Sequence, residues 1–388
     1  MEVAGLFAGI GGFELGLHRA GHRTSLLCEI RPGAQAVLER SFPGIRIDAD
    51  VRALGPIPRG VDLICAGFPC QDLSQAGRTS GLGGEQSGLI RTVFEVLRNR
   101  RIRPTLLIEN VPFMLQLHGG AAMRAIVDNL EDLGYSWAYR VVDSFSFGLP
   151  QRRERVFLVA SLDLRPEDVL LVDDAPLDRP SSAIGSLAHG FYWTEGRGGL
   201  GWAVDAVPTL KNGSTIGIAS PPAVLLPDLS VVTPSIRDAE AMQGFERGWT
   251  APAEAVERAS ARWSLIGSAV SVPVAEWIGH RLSGPGEFEA VDVSDFPAAG
   301  KLPRAALGGP GIGRWSVQIS SDPVGTRGPR LATFLERPAK PLSAKATAGF
   351  YARATDSRTR LRFEPGFLDA VRTHRDRMLD QMPENLAA

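Results

Sequence analysis

Cysteine is scarce in this chain of 388 residues, with Cys28, Cys65 and Cys70 its only thiols. The number is odd and no two are spaced as a CxxC pair, so neither a disulfide framework nor a zinc site is expected. An excess of one charge is also missing: 42 basic against 43 acidic residues leave a formal net charge of −1. No whole-molecule positive field attracts a polyanion, and any nucleic-acid surface must be a local patch. There is no run of about 18 uncharged apolar residues to span a membrane, and the opening "MEVAGLFAGI" carries an acid where a signal peptide needs basic residues. A cytoplasmic protein with reduced thiols is expected. Internal repeats and low-complexity tracts are absent too. What remains is an ordinary globular composition, 44% hydrophobic and 22% charged, on a chain long enough for a large core plus one or two smaller units.

Five short apolar runs organise the first 161 residues: "VAGLF", "TSLLCEI", "VDLICAG", "PTLLIEN" and "RVFLVAS". Segments such as "FELGLHRAG", "GLIRTVFEVLRNR" and "GAAMRAIVDNLEDLG" separate them and repeat apolar residues at helical spacing. Strands alternating with helices imply an α/β fold whose doubly wound, mostly parallel sheet is covered on both faces. After about residue 161 the alternation fails, and Pro, Gly, Asp and Trp mark a separate loop-rich unit. Helical spacing returns at "SIRDAEAMQGF" and "SAVSVPVAEWIGHRL", and the last hundred or so residues read as a third, irregular section.

The first strand runs into "AGIGG", where a glycine turn lets backbone amides approach a ligand at the carboxyl edge of the sheet. Gly9, Gly11 and Gly12 suit that role, but Glu14 stands where the dinucleotide fingerprint wants a small residue, so a ligand without a pyrophosphate fits better. Glu29 and Asp50 close the next two runs, placed to accept ribose hydroxyls and to take an exocyclic amine; the plainer alternative for strand-end acids is solvation. Cys65 and Cys28 lie within apolar runs and read as inert core. Cys70, in "GFPCQDLSQAG", lies just past a strand among polar residues, where a thiol can be exposed and act as a nucleophile. Glu109 ends "LLIE" on the same rim if the sheet is parallel, as a general acid or a solvated group. Alternation in "QRRERVFLV" sends Arg153 and Arg155 to one face, to bind an anion or hold a carboxylate, unless the loop is merely a basic surface.

Taken in order, "FAGIGGFELGL", "GFPCQDLSQAG", "IENVP" and "GLPQRRERVFLV" closely resemble the motifs of the bacterial DNA (cytosine-5)-methyltransferase family. "TPSIRDAEAMQGF" and "IGSAVSVPVAEWIG" extend the likeness, which spans residues 3 to about 282. The resemblance implies Cys70 as catalytic thiolate, Glu109 as the acid on the cytosine ring nitrogen, and Arg153 and Arg155 as supports of the base and these groups. It implies S-adenosyl-L-methionine, leaving as S-adenosyl-L-homocysteine, against Phe7, Gly9, Gly11, Gly12, Glu29, Ile30, Asp50, Val51 and Ser268, with no metal. Gln71, Ser74, Gln151 and Thr209 would face the DNA or the flipped base. One departure stands out: where the family usually reads Gly-Asn, this chain has Gly267 and Ser268, which implies a weaker grip on the cofactor.

The implied chemistry explains the residue types. Addition of a soft thiolate to C6 turns C5 into a nucleophile, and a carboxyl at N3, kept protonated by seclusion, drains the charge. Both ring faces are needed, so the base must leave the duplex. The glycine-rich "SQAGRTSGLGGEQSG" after the cysteine suits a lid. The expected division is a catalytic and cofactor-binding domain at 1–160, completed by 264–282, a target-recognition domain at 161–263, and an extension at 283–388. That extension carries Arg304, Arg314, Arg327, Arg330, Arg353, Arg358, Arg360 and Arg362 with Trp315, Phe334, Phe350 and Tyr351, as a DNA-contacting surface or a solvated one. Expected partners are double-stranded DNA and a cognate restriction endonuclease, with the enzyme a monomer. The alternatives are a tRNA cytosine-5 methyltransferase on the same scaffold and a DNA-binding relative without catalysis.

Overall fold

The computed structural model describes residues 1–68, 88–98, 103–181, 184–213, 219–290 and 292–381. The chain forms two units, one of Met1–Ser146, Glu154–Pro176 and Val270–Gly325, the other of Phe147–Arg153, Leu177–Ala269 and Thr326–Ala388.

The first unit is built on a sheet of ten strands among the described residues. Its first five are β1 (Glu2–Leu6), β2 (Arg23–Cys28), β3 (Arg46–Asp48), β4 (Leu63–Ala66) and β5 (Thr105–Asn110). They stand in the order 3-2-1-4-5 and all pair in parallel. The short apolar runs make them: every residue of β4 and β5 is buried, as strands covered on both faces require. The chain winds to one side of β1 and then, from β4, to the other, which opens a crevice at the carboxyl ends between β1 and β4. Next come β6 (Ser136–Asp143) and β7 (Glu154–Ser161), and β7 inserts between β5 and β6, antiparallel to both. The apolar run "RVFLVAS" is thus a strand, but it runs against the parallel set.

Three further strands, β8 (Val293–Asp295), β9 (Ala305–Gly309) and β10 (Gly313–Val317), extend the sheet beyond β6 through antiparallel pairing of β9 with β6. Trp137 and Tyr139, fully buried, stack at 5.9 Å between ring centroids in this region. Helix α1 (Gly12–Arg19) packs against the helix Val272–Ser283, which brings the closing segment of the motif set back to the first.

The second unit holds a five-stranded antiparallel sheet among the described residues, ordered 202–204, 189–191, 223–225, 231–233 and 340–341. Its core is aromatic: Phe191, Phe350 and Phe367 are each fully buried, with Phe191 and Phe350 centroids 4.5 Å apart. The expected helix at "SIRDAEAMQGF" is present as Ile236–Met242, capped by a reciprocal pair of bonds between Ser235 and Asp238.

Residues 283–388 therefore do not form a section of their own. Strands β8 to β10 complete the first sheet, while residues from Thr326 onward supply an edge strand and half of the aromatic core of the second unit. The arginines there are also largely committed: Arg304 pairs with Glu154, Arg314 with Asp128 and Glu131, Arg330 with Asp205, and Arg358 with Asp356. Arg353 donates to the Trp193 carbonyl at 2.5 Å, and Phe350 is core, so these two residues serve the packing of the second unit. The segment 147–153 groups with the second unit, and the first runs on to Pro176.

Candidate active site

At the end of β1 the chain turns sharply. Phe7 and Gly9 both take left-handed backbone angles, φ 57° each, and a side chain at Gly9 would meet no atom within 4 Å, so the loop leaves open space. The Gly9 amide donates to Glu29 Oε2 at 2.8 Å, and the Arg31 amide donates to Glu29 Oε1 at 2.8 Å. Two amides thus fix a buried carboxylate at the end of β2, with lone pairs left to accept hydroxyls. Ile30 beside it is 61% exposed, an apolar face in the open next to a fixed acid. Gly11 and Gly12 are buried where the loop enters α1.

Asp50 caps the short turn Val51–Ala53 by accepting from the Arg52 amide, and its carboxylate is also held by the Arg52 guanidinium at 2.7 Å. That bond holds the Asp50 carboxyl below the usual range. An exocyclic amine would have to share Asp50 with Arg52. Val51 is buried beneath it. These residues fit a nucleoside with a sulfur-bearing tail: an anchored acid for the ribose, an exposed apolar side chain for the adenine, and an uncrowded glycine turn for the rest.

Among the thiols, Cys28 and Cys65 are buried. Burial and the nearby acids Asp48, Glu29 and Asp50 push the Cys28 thiol up to about 12, and burial raises Cys65 well above its ordinary value. Neither can supply a thiolate. Cys70, Gln71, Ser74 and the glycine-rich stretch after them lie outside the described residues. The approach to Cys70 is described as far as Phe68, and there the structure supplies two contacts. The Asn110 side-chain amide donates to the Phe68 carbonyl at 3.1 Å, and a methyl group placed on Gly67 would lie 3.8 Å from Glu109 Oε2. Phe68 also meets the Phe7 ring edge-on at 6.5 Å.

Glu109 is 7% exposed and pairs with Arg155, Nε to Oε1, at 2.9 Å. The antiparallel direction of β7 makes this possible. Its start, rather than its end, lies at the rim where β5 finishes, and Phe157 is the register partner of Glu109. Arg155 therefore reaches the carboxylate from a diagonal position. Beside the seclusion expected of this acid, the structure contains an ion pair with Arg155.

Arg153 does something different. It precedes β7, is 1% exposed, and donates to the carbonyls of Leu210, Gly267 and Ala269 at 3.3, 3.2 and 2.7 Å. The two arginines are thus not partners on one face, because the strand begins only at Glu154. Gln151, fully buried, spends its amide on the Met242 carbonyl at 3.0 Å and the Leu210 amide at 2.8 Å. It shapes the second unit instead of presenting its side chain outward. Thr209 donates to the Arg152 carbonyl at 2.8 Å beside it. Gly267 explains itself here, since a Cβ would lie 2.1 Å from the Lys211 carbonyl carbon. Ser268 ends the helix Ala261–Ser268 with its side chain exposed. The sequence reading missed Asn110, although it stands next to Glu109 in a quoted motif.

A glycine turn at the reversal point of a 3-2-1-4-5 sheet, followed by an antiparallel strand between the fifth and sixth, defines an S-adenosylmethionine-dependent methyltransferase of Rossmann-like fold. Solved structures share it: a DNMT2 mutant of Spodoptera frugiperda has a TM-score of 0.52 at 14% identity, covering 73% of this chain and 98% of its own. The Entamoeba histolytica methyltransferase EhMeth gives 0.53 at 14%, covering 71% and 96%. The model of the C-5 cytosine-specific DNA methylases matches residues 1–182. Type II methyltransferase M2.BsuMI of Bacillus subtilis (strain 168) is 45% identical over 98% of this chain and 100% of its own length. Type II methyltransferase M.MspI of Moraxella sp is 33% identical over 41% of this chain and 38% of its own. The chain belongs to the C-5 cytosine-specific DNA methylase family. It is a DNA cytosine-5 methyltransferase that uses S-adenosylmethionine. No helix among the described residues is long and apolar enough to cross a membrane.

Proposed function

We propose that methyl transfer proceeds through Cys70, with Glu109 and Arg155 acting on the opposite side of the target ring and the second unit reading the DNA sequence. The observation that carries this is the position of the Glu109 carboxylate over Gly67, three residues before the cysteine, on a strand exit tied down by Asn110. In this reading the Cys70 thiolate adds to C6 of an extruded cytosine, and the electron pair displaced from the 5,6 double bond makes C5 nucleophilic. Glu109, oriented by Arg155, acts in its protonated form, donating to N3 and so stabilising the negative charge pushed into the ring. Loss of the C5 proton to a base and expulsion of the thiolate then restore the aromatic ring and the free enzyme. When bound, the cofactor supplies an electrophilic methyl group on a sulfonium. Gly9, Glu29 and Ile30 would hold its nucleoside.

The second unit supports target recognition because Gln151, Arg153 and Gly267 lock Thr209 to Lys211 into a fixed shape, as a reading surface needs. The naming of its relatives as Type II methyltransferases supports a companion restriction endonuclease, acting in the cytoplasm. Labelled methyl transfer from the cofactor to duplex DNA and to tRNA tests the reading. Incorporation into DNA that disappears in Cys70→Ala is expected; incorporation into tRNA alone, or an active Cys70→Ala protein, overturns it. Bisulfite sequencing of host DNA then gives the recognition site directly.

A further inference from the structure

Glu14 takes part in none of these steps, yet its environment is unusual. It lies in the first turn of α1, directly after the glycine turn, and is 1% exposed. Among the described residues neither of its carboxylate oxygens has a hydrogen-bond partner. The niche exists because of Gly5 on β1: a Cβ there would lie 1.9 Å from Glu14 Oε1. A buried carboxylate that no other residue's donor reaches favours taking up a proton.

The titratable groups that act on Glu14, or that it acts on, come from two neighbouring strands. Glu29, at the end of β2, repels its charge, and Cys65 on β4 is a thiol that Glu14 itself pushes up. None of these is a cation. Burial, reinforced by Glu29 and opposed by the backbone amide of Glu14 itself, brings the carboxyl up to about 7. The same Glu29 fixes the Gly9 amide at 2.8 Å, so Glu14 is electrostatically linked to the acid that anchors the cofactor loop.

The ligand of that loop exists in two forms that differ by one charge. The methyl donor bears a sulfonium, and the demethylated product bears a neutral thioether. In a low-dielectric niche a unit charge nearby shifts a proton equilibrium appreciably. We propose that Glu14 is a charge sensor for the cofactor, ionised while the sulfonium form is bound and protonated when the loop is empty or holds the neutral product. The proton passes to solvent when the donor binds and is regained from solvent after the methyl group has left. Preference for donor over product therefore strengthens as pH rises. This inference rests on the glycine turn being the cofactor loop.

Isothermal titration of the full chain with S-adenosylmethionine and with S-adenosylhomocysteine, in two buffers of different ionisation heat, tests it. The two ligands share their amino and carboxyl groups, so the ratio of their affinities isolates the sulfur charge. Between about pH 6 and about pH 8.5 that ratio is expected to move by about tenfold toward the donor. Near neutrality, donor binding releases a fraction of a proton that product binding does not. Glu14→Gln flattens both signals. A wild-type ratio that is constant with pH, or a Glu14→Gln protein that keeps the pH dependence, overturns the sensor while leaving the cofactor site standing. If neither ligand binds, both fall. Should Glu14→Gln fail to fold, the proton release of the wild-type protein decides alone.

Discussion

The side-chain amide of Asn110 holds the main-chain carbonyl of Phe68 at 3.1 Å, joining the end of β5 to the exit of β4. Its Oδ1 at the same time accepts from the Val111 amide at 2.8 Å, so the side chain has little freedom. The residue beside the proposed acid thus moors the segment leading to the proposed nucleophile. Asn110→Ala is expected to cost about 1 kcal/mol of stability and to lower kcat by about tenfold to a hundredfold through misplacement of the thiol. Because Cys28 and Cys65 are buried, the rate of iodoacetamide labelling reports on Cys70, and it should change in the variant. An unchanged labelling rate with unchanged kcat would remove Asn110 from the argument.

Arg155 contacts Glu109 at 2.9 Å with both side chains mostly buried. Arg155→Ala should lower the rate of methyl transfer by about a hundredfold, and Arg155→Lys, which keeps the charge but loses the planar fork, by less. Cofactor affinity should stay within about twofold for both, since neither residue is among those proposed to hold the nucleoside. Steady-state kinetics with a parallel cofactor titration separates these effects; an alanine variant with near wild-type kcat refutes the role.

Gly267 has no room for a side chain, with the Lys211 carbonyl carbon and oxygen each 2.1 Å from where a Cβ would stand. Those are backbone atoms and cannot rotate away. Gly267→Ala should therefore destabilise the second unit by about 1–3 kcal/mol, and the loss should be visible as faster hydrogen exchange across residues 207–211. Protection unchanged there would mean that the segment shifts at little cost.

Glu14 gives the protein a pH dependence of definite sign. Its carboxyl goes from 4.5 to about 7 on folding, so the folded state binds the extra proton between those values. Stability from this group is fully present below about pH 4.5 and is lost as pH rises through about 7. Glu14→Gln should gain relative to wild type as pH increases, reaching about 3 kcal/mol above neutrality without cofactor. Urea unfolding at acid and alkaline pH measures it, and a difference that does not grow with pH would contradict the burial argument.

Much of the cofactor half was legible because its signals are local. The runs ending in Glu29 and Glu109 are short and apolar, and the acids close them where parallel strands finish, whereas Asp50 follows a short, partly exposed strand, Arg46–Asp48. Strand direction is not local: the alternation of "RVFLVAS" is the same either way, so the antiparallel β7 that brings Arg155 to Glu109 could not be read from it. The same blindness put Arg153 on the strand, although the strand begins one residue later. The arginines after residue 283 looked available because their partners Asp128, Glu131 and Asp205 are more than a hundred positions away in sequence. Gln151 looked like a DNA contact because nothing near it in the chain shows that the Met242 carbonyl and the Leu210 amide take both ends of its side chain.

The pairing of β9 with β6 bears on how the protein can be dissected. β6 is eight residues long and nearly all buried, with Trp137 and Tyr139 among them. Removing everything after position 283 would leave this long apolar strand with a naked row of amides and carbonyls, a template for neighbouring molecules. Such a fragment should precipitate, and any failure to retain DNA would report self-association rather than lost phosphate contacts.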